Sequence, residues 1–133
     1  MKDTYLEASI EKIFNKLVKT KVGGKTIKLW AFNNVGIPDR IVLIPGARVA
    51  FVELKTKVGK LKPIQAYFHN QLRGLGFPVA VLYGKAEVEE WIRALESQAL
   101  SEQSAAKLSR QRFFSALDGD GSGQDISSRN SLL

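Results

Sequence analysis

Apolar residues recur along this chain with two different spacings. In residues 3–20 they follow the 3.6-residue period of an amphipathic helix, whereas residues 41–44 and 49–52 are continuous apolar runs typical of strands. The pattern predicts seven elements in the order helix, strand, strand, strand, helix, strand, helix, over residues 3–20, 29–32, 41–44, 49–55, 63–75, 78–83 and 87–95. This α-β-β-β-α-β-α order favours an α/β fold in which a mixed sheet is flanked by helices.

Charged residues stand at the ends of two of the predicted strands. Asp39 comes just before residues 41–44, and Glu53 and Lys55 close the strand that follows. Because a strand directs alternate side chains to one face, Glu53 and Lys55 point the same way. Mg²⁺ prefers hard oxygen ligands and typically uses one or two carboxylates together with waters and phosphate. Two carboxylates and an ammonium group that converge at strand ends therefore make a candidate Mg²⁺ site.

A third carboxylate stands out in the first predicted helix. On a helical projection Glu7 falls between Phe14 and Val18, inside the apolar stripe. A carboxylate in that position needs a partner or a metal ion to offset its lost hydration. The alternative is that Glu7 reaches water at the end of the stripe, or pairs with Lys2 or Lys12.

Composition limits both the class of protein and the kinds of site. With 133 residues, 44% of them hydrophobic, the chain has room for one core and hence one domain. The absence of cysteine excludes disulfides and thiolate metal sites, and a single histidine, His69, excludes a histidine-based zinc site. No apolar run reaches the length of a membrane span, and no apolar signal core follows the first residues. We therefore expect a soluble, cytoplasmic protein.

The composition changes after Glu96. Residues 97–117 are rich in Ser, Gln and Ala and carry only a broken apolar stripe, and residues 118–133 are rich in Gly, Ser and Asp. We expect the main domain to span residues 1–96. Residues 97–133 would then form a C-terminal extension that is partly helical before it becomes disordered.

Positive charge is concentrated in the half of the chain that holds the candidate site. Fourteen of the 20 Lys and Arg residues lie in residues 1–75, with only five of the 13 Asp and Glu residues. A generic basic surface would give the same excess, but its position suggests a phosphate-backbone partner. Two predicted loops beside the strands supply the lysines that we expect to bind DNA phosphates, namely Lys21, Lys25, Lys28, Lys57, Lys60 and Lys62.

Four features occur here in a characteristic order: Gly36-Ile37-Pro38-Asp39, Glu53-Leu54-Lys55, Gln65 on the next helix, and Gly76 before an apolar strand. Together they resemble the VRR-NUC (virus-type replication-repair nuclease) branch of the PD-(D/E)xK nuclease superfamily. The resemblance covers roughly residues 5–95. It implies the restriction-endonuclease-like core of that superfamily and a nuclease domain over residues 1–96.

The resemblance also implies a metal site and its ligands. Asp39 and Glu53 would bind Mg²⁺ or Mn²⁺, with the backbone carbonyl of Leu54 as a further ligand. The alternatives are that Asp39 is an ordinary turn residue, and that Glu53 and Lys55 are surface charges that form an ion pair of little energetic value.

Three further residues take roles from the resemblance. Lys55 would position or activate the attacking water and stabilise the charge that develops on the phosphate. Glu7 would orient a metal-bound water, and Gln65 would hold Lys55 or the nucleophile in place. The alternative for Gln65 is an ordinary solvent-facing helix position.

The function implied is that of a metal-dependent endonuclease that leaves 5′-phosphates and acts on branched or structured DNA. A stand-alone domain of this type resembles homodimers able to cut two strands symmetrically, as in the resolution of Holliday junctions during DNA repair. Two alternatives stay open: a DNA-binding module that keeps the fold without turnover, and a nuclease for linear duplex or single-stranded DNA.

We expect His69 to be structural or to contact DNA. Trp30 and Trp91 favour core positions over base stacking.

Overall fold

The computed structural model describes residues 2–30 and 36–118. The helices are α1 (Lys2–Leu17), α2 (Pro63–Gly74) and α3 (Gly84–Asp118), and the strands are β1 (Lys25–Lys28), β2 (Arg40–Ile44), β3 (Arg48–Lys55) and β4 (Val79–Tyr83). A π-helical turn, Val18–Val22, extends α1. The predicted order of elements is confirmed, and so is the α/β class.

The four strands form one mixed sheet in the order β1-β2-β3-β4. The β1–β2 and β2–β3 pairs are antiparallel, whereas β4 runs parallel to β3. Residues 45–47 make the tight turn that joins β2 to β3, with Ile44 opposite Arg48. Strand β3 lies between β2 and β4 and is eight residues long. Because β2 and β3 are antiparallel, the last residues of β3 lie beside the first residues of β2.

The core lies on one face of this sheet. Alternate residues of β2 and β3 point to that face, as strand geometry requires, and helices α1 and α3 cover it. The buried apolar side chains of this cluster are Ile10, Phe14, Val18, Val42, Ile44, Ala50, Val52, Leu54, Leu82, Val88, Ile92 and Leu95. Trp91 packs against the cluster, with its ring centroid 5.7 Å from that of Phe14, as expected for a core position.

The first strand is not where the sequence pattern places it. The prediction relied on the apolar residues 29–32, but Leu29 and Trp30 lie outside any strand, and β1 is formed by Lys25–Lys28. An edge strand with one exposed face does not need a continuous apolar run, which is why the pattern missed it. Trp30 is 70% exposed, so its predicted core position is wrong. Residues 31–35, which include the second half of the strand predicted over residues 29–32, lie outside the described residues.

Helix α2 covers the opposite face of the sheet. Its apolar residue Ile64 and the following Leu75 are 44% and 75% exposed, and the fully buried residue of the helix is His69. Within the described part of the chain, neither ring nitrogen of His69 has a hydrogen-bond partner. Burial lowers the pKa of His69, and the nearby charges of Arg73 and Lys55 lower it further. His69 is therefore a buried, uncharged side chain, which fits the structural role that was one of its two predicted alternatives.

Strand β4 and helix α3 also differ from the pattern. Only Leu82 of β4 is fully buried, because β4 is an edge strand and not the buried strand that its apolar sequence favoured. Helix α3 begins at Gly84 and continues to Asp118, well beyond the predicted end at residue 95. The chain divides into two compact units, Met1–Ser97 and Gln98–Leu133. The predicted disorder of the last residues falls on residues 119–133, which lie outside the described residues.

No helix in the described residues is both long enough and apolar enough to span a membrane.

Replacing His69 by leucine tests the burial of the uncharged ring. His69→Leu removes no hydrogen bond seen in the structure, so near neutral pH we expect stability to be unchanged or to rise by about 1 kcal/mol. Because the folded pKa is lowered from 6.5, the unfolded chain takes up a proton first, so the contribution of His69 to wild-type stability falls as pH drops below 6.5. His69→Leu should lose less. Urea unfolding at several pH values measures both effects.

The chain has no other histidine, so the difference between the two proteins on the acid side isolates this side chain. A His69→Leu variant that is much less stable at every pH would show that the ring has a partner and would contradict the interpretation.

Candidate active site

Asp39 and Glu53 lie side by side where β2 begins and β3 ends. The backbone N–H of Asp39 donates to Glu53 Oε2 at 3.0 Å, and the backbone N–H of Leu54 donates to Asp39 Oδ2 at 2.9 Å. Backbone pairing of the two strands ends at Arg40 and Val52, so these side-chain oxygens continue it by one residue. The two carboxylates predicted from the sequence are therefore held together by the sheet itself.

Two further side chains converge on the same carboxylate. Lys55 Nζ lies 3.3 Å from Glu53 Oε1, and Gln65 Nε2 donates to that oxygen at 2.9 Å. Gln65 Oε1 in turn accepts the backbone N–H of Lys62 at 2.9 Å, where α2 begins. Gln65 is therefore not an ordinary solvent-facing residue, and it donates to Glu53 and not to Lys55. Its predicted role of holding the nucleophile in place stays a prediction. Gln65 fixes Glu53 to the start of α2.

Gly36 explains how the loop before β2 approaches that helix. Its φ of 111° lies in the region that favours glycine. A Cβ at this position would come within 2.6 Å of the carbonyl oxygen of Ile64. The segment that presents Asp39 therefore packs directly on the helix that carries Gln65, which keeps the two halves of the site at one spacing.

The two carboxylates are buried close to one another, and this changes their protonation. Burial, and then repulsion by Asp39, raises the pKa of Glu53 from 4.5 to about 7, although Lys55 opposes the shift. Burial also raises the pKa of Asp39, against the lowering effects of the Leu54 N–H and Lys55. Glu53 is buried and Asp39 half-buried, and among the described residues the one ammonium group in contact with the pair is that of Lys55 on Glu53, so the site has a deficit of positive charge.

A cavity of about 380 Å³ opens beside Asp39. Its lining residues come from α1, β1 and the adjoining ends of β2 and β3, namely Glu7, Ala8, Glu11, Lys28, Asp39, Arg40 and Leu54. Glu53 and Lys55 project from the face of β3 opposite to Leu54, so Asp39 connects the cavity to the Glu53–Lys55 pair.

Glu7 belongs to the wall of this cavity, but not for the predicted reason. Its side chain is exposed, so the expectation that it is buried within an apolar stripe is wrong. The apolar stripe of α1 becomes buried only from Ile10 onward, whereas Leu6 is 50% exposed. Glu7 therefore reaches water at the end of the stripe, as the alternative interpretation had it, and it also lines the cavity.

The sequence analysis missed a charged cluster on the same wall. The buried guanidinium of Arg40 forms an ion pair with Glu11 and also donates to the Thr26 hydroxyl at 3.3 Å. Lys28 Nζ lies 3.2 Å from the same Glu11 oxygen. Burial alone would raise the pKa of Glu11, but the hydrogen bonds from Arg40 and Lys28 bring it below the usual value. The available signals were the position of Arg40 directly after Asp39 and the one-turn spacing of Glu11 from Glu7.

The donor set can be compared with the needs of a metal ion. Among the described residues, no three His, Cys, Asp or Glu side chains gather into a complete metal-binding group. That argues against a zinc-type site, which takes three or four protein ligands. Mg²⁺ is typically bound through one or two carboxylates, with waters and substrate phosphate completing its shell. The paired oxygens of Asp39 and Glu53 and their deficit of positive charge fit such an ion.

The six lysines predicted to contact phosphates are exposed and form two groups. Lys21, Lys25 and Lys28 belong to the π-helical turn and β1, whereas Lys57, Lys60 and Lys62 lie between β3 and α2. The second group follows Lys55 directly in the chain. Both groups therefore adjoin elements that build the candidate site.

Comparison with known proteins gives consistent results. The family model for the VRR-NUC domain matches residues 6–86. The chain is 40% identical over 76 residues to "Putative nuclease p44" of Acyrthosiphon pisum secondary endosymbiont phage 1, a match that covers 57% of this chain and 81% of that protein. A solved structure described as a VRR_NUC domain superposes with a TM-score of 0.61 at 28% identity, covering 65% of this chain and 94% of the other.

The raised pKa of Glu53 predicts how stability depends on pH without metal. Between the usual value of 4.5 and about 7, the folded protein binds more protons than the unfolded chain. In EDTA, the stabilising contribution of Glu53 should therefore fall as pH rises through this window, by up to about 3 kcal/mol. Glu53→Gln cannot ionise and also relieves Asp39, so its loss over the same range should be smaller. Thermal or urea unfolding at several pH values measures the difference.

The slope with pH is the decisive quantity, because Glu53→Gln also changes the hydrogen bonds at this position and so shifts stability at all pH values. Parallel curves for the two proteins between pH 5 and 7.5 would contradict the prediction.

Proposed function

The chain belongs to the VRR-NUC domain family, and from this premise we propose that it is a divalent-metal-dependent endonuclease that hydrolyses DNA phosphodiester bonds. One observation carries the proposal. Asp39, Glu53 and Lys55, on the adjoining ends of two strands, are joined by direct contacts and are held from a third element by Gln65. A binding module without turnover would not need all three groups in contact.

Asp39 and Glu53 are the residues that would hold the ion, Mg²⁺ or Mn²⁺, with the carbonyl of Leu54 as a further ligand. When bound, such an ion neutralises phosphate charge and lowers the pKa of a coordinated water. The protein's contribution is to keep the two carboxylates adjacent through the Asp39 and Leu54 N–H groups.

Lys55 supplies fixed positive charge. Its side chain is only 16% exposed and is oriented by Glu53, so the ammonium group is held beside the position where negative charge builds up on the phosphate. A preorganised cation in a site of restricted solvent access stabilises a transition state without reorganisation at the moment of reaction. Glu7, on the cavity wall beside Asp39, is placed to orient a water there.

The positive charge beside the site supports a DNA substrate. Six exposed lysines beside the site suit a phosphate backbone, and we propose that the DNA is branched or structured. One site per chain cuts one strand, so paired cuts, as in Holliday-junction resolution, would need a homodimer. Nicking, or cleavage of linear or single-stranded DNA, would not need a homodimer. Incubation with junction, flap, duplex and single-stranded DNA, in Mg²⁺, Mn²⁺ or EDTA, distinguishes these substrates.

Single substitutions test the catalytic assignment. Asp39→Asn and Glu53→Gln each remove a proposed ion ligand, and Lys55→Met removes the cation while keeping its alkyl length. We expect each to lower single-turnover cleavage by about 100-fold or more. Lys16→Met, an exposed lysine of α1, is the matched control and should cut at the wild-type rate.

Metal binding separates the roles. Mg²⁺ or Mn²⁺ should raise the melting temperature of wild type and of Lys55→Met, but not of Asp39→Asn or Glu53→Gln. Glu7→Gln should reduce cleavage less than Glu53→Gln, by about 10- to 100-fold, because it acts through water. Wild-type cleavage by all of the site variants would refute the assignment. Wild-type rates for Glu7→Gln at every Mg²⁺ concentration would remove Glu7 alone from it.

The loop between β3 and α2 can be tested through salt dependence. Replacing Lys57, Lys60 and Lys62 by alanine should weaken binding to all DNA sequences alike and reduce the slope of log K against log salt, by about one unit per lost phosphate contact. Fluorescence anisotropy from low to moderate salt, without divalent metal, gives the slope. An unchanged slope would place the DNA on another surface.

A further inference from the structure

Trp30 is a large apolar side chain that the structure leaves 70% exposed, just after β1. A single exposed aromatic residue is common on protein surfaces and by itself indicates nothing. Its position relative to the candidate site is what gives it significance.

The chain connects Trp30 directly to that site. The backbone N–H of the preceding residue, Leu29, donates to the carbonyl of Asp39 at 2.7 Å. Lys28 Nζ lies 5.0 Å from the centroid of the Trp30 ring and 3.2 Å from Glu11 Oε1. Lys28 and Glu11 both line the cavity with Asp39. The ring is therefore no further from the Glu11 carboxylate on the cavity wall than these two distances together, about 8 Å.

We propose that Trp30 stacks on an unpaired base of the DNA close to the phosphate held at Asp39, and that it thereby makes the site favour branched or gapped DNA over uninterrupted duplex. The inference rests on the proposed nuclease function and adds the feature of the substrate that is read. Glu11 and Asp39 line the same cavity, and stacked nucleotides advance about 3.4 Å each along a strand, so the base that meets the ring lies a few nucleotides from that phosphate.

The chemistry of the surroundings favours a nucleobase as the occupant. Lys28 contacts the Trp30 ring by a cation–π interaction, which places positive charge for the phosphate beside an apolar surface for the base. Bases within an intact duplex are already stacked on both faces, whereas those at a branch point or gap are free to stack on protein aromatics. The combination therefore distinguishes interrupted from continuous DNA, which phosphate contacts alone do not.

Three variants test the proposal. Trp30→Leu removes the aromatic face, Trp30→Phe keeps a smaller one, and Tyr67→Leu removes an aromatic side chain of α2 that is 59% exposed and is absent from the cavity lining. Each is titrated, in EDTA, with continuous duplex, with duplex containing a short single-stranded gap, and with the same gap made of abasic nucleotides.

For gapped DNA, Trp30→Leu should weaken binding by about tenfold or more, the range expected for loss of one base stack. Continuous duplex and the abasic gap should change less than twofold, and Trp30→Phe should retain most of the preference. Gapped DNA should quench Trp fluorescence of the wild type more than the abasic gap does. Trp30→Phe, which leaves Trp91 as the only tryptophan, should lose that difference.

Equal losses on gapped and continuous DNA, an equal effect of Tyr67→Leu, or no effect of Trp30→Leu would each overturn the stacking role. These results are distinct from failure of the proposed function. If the wild type cleaves DNA but Trp30 has no selective effect, only the stacking role is wrong. If the wild type cleaves no DNA with Mg²⁺ or Mn²⁺, the proposed function fails whatever the binding data show.

Discussion

The reciprocal hydrogen bonds between the start of β2 and the end of β3 set the geometry on which the site depends. Asp39 donates its N–H to the Glu53 carboxylate, and its own carboxylate accepts the N–H of Leu54. The two carboxylates thus replace backbone groups in the strand pairing. A slip of one residue between the strands would turn one of these side chains to the opposite face, so the register of the sheet also specifies the site.

This arrangement leaves more negative than positive charge in a region with restricted access to solvent. Burial raises the pKa values of both Asp39 and Glu53, and repulsion by Asp39 raises that of Glu53 further, so one lysine does not offset both carboxylates. In natural proteins, the arrangement of groups that function requires commonly lowers the stability of the fold. On the neighbouring wall the balance is the reverse, because Glu11 has two cationic partners, Arg40 and Lys28. Negative charge is therefore compensated beside the site and left uncompensated within it.

Much of the site could be predicted because its residues lie in short segments with strong local signals. Asp39, Glu53 and Lys55 follow from strand alternation and a recognisable motif, since both properties are local to the chain. The partner of Gln65 could not be obtained in the same way, because it depends on how α2 sits across the sheet. The Glu11–Arg40 ion pair joins residues 29 positions apart, and a charged residue gives no periodic signal of its partner.

The sequence by itself determined the order of helices and strands, the α/β class and the two carboxylates with their lysine, because hydrophobic periodicity and motif spacing are properties of neighbouring residues. Only the tertiary structure decided which faces are buried. His69 is buried and Trp30 is exposed to solvent, the reverse of what side-chain polarity suggests. The physical reason is that the burial of a side chain depends on which helix or strand packs against it. In a strand with one exposed face or a helix with mixed faces, contacts between distant segments decide which side is buried.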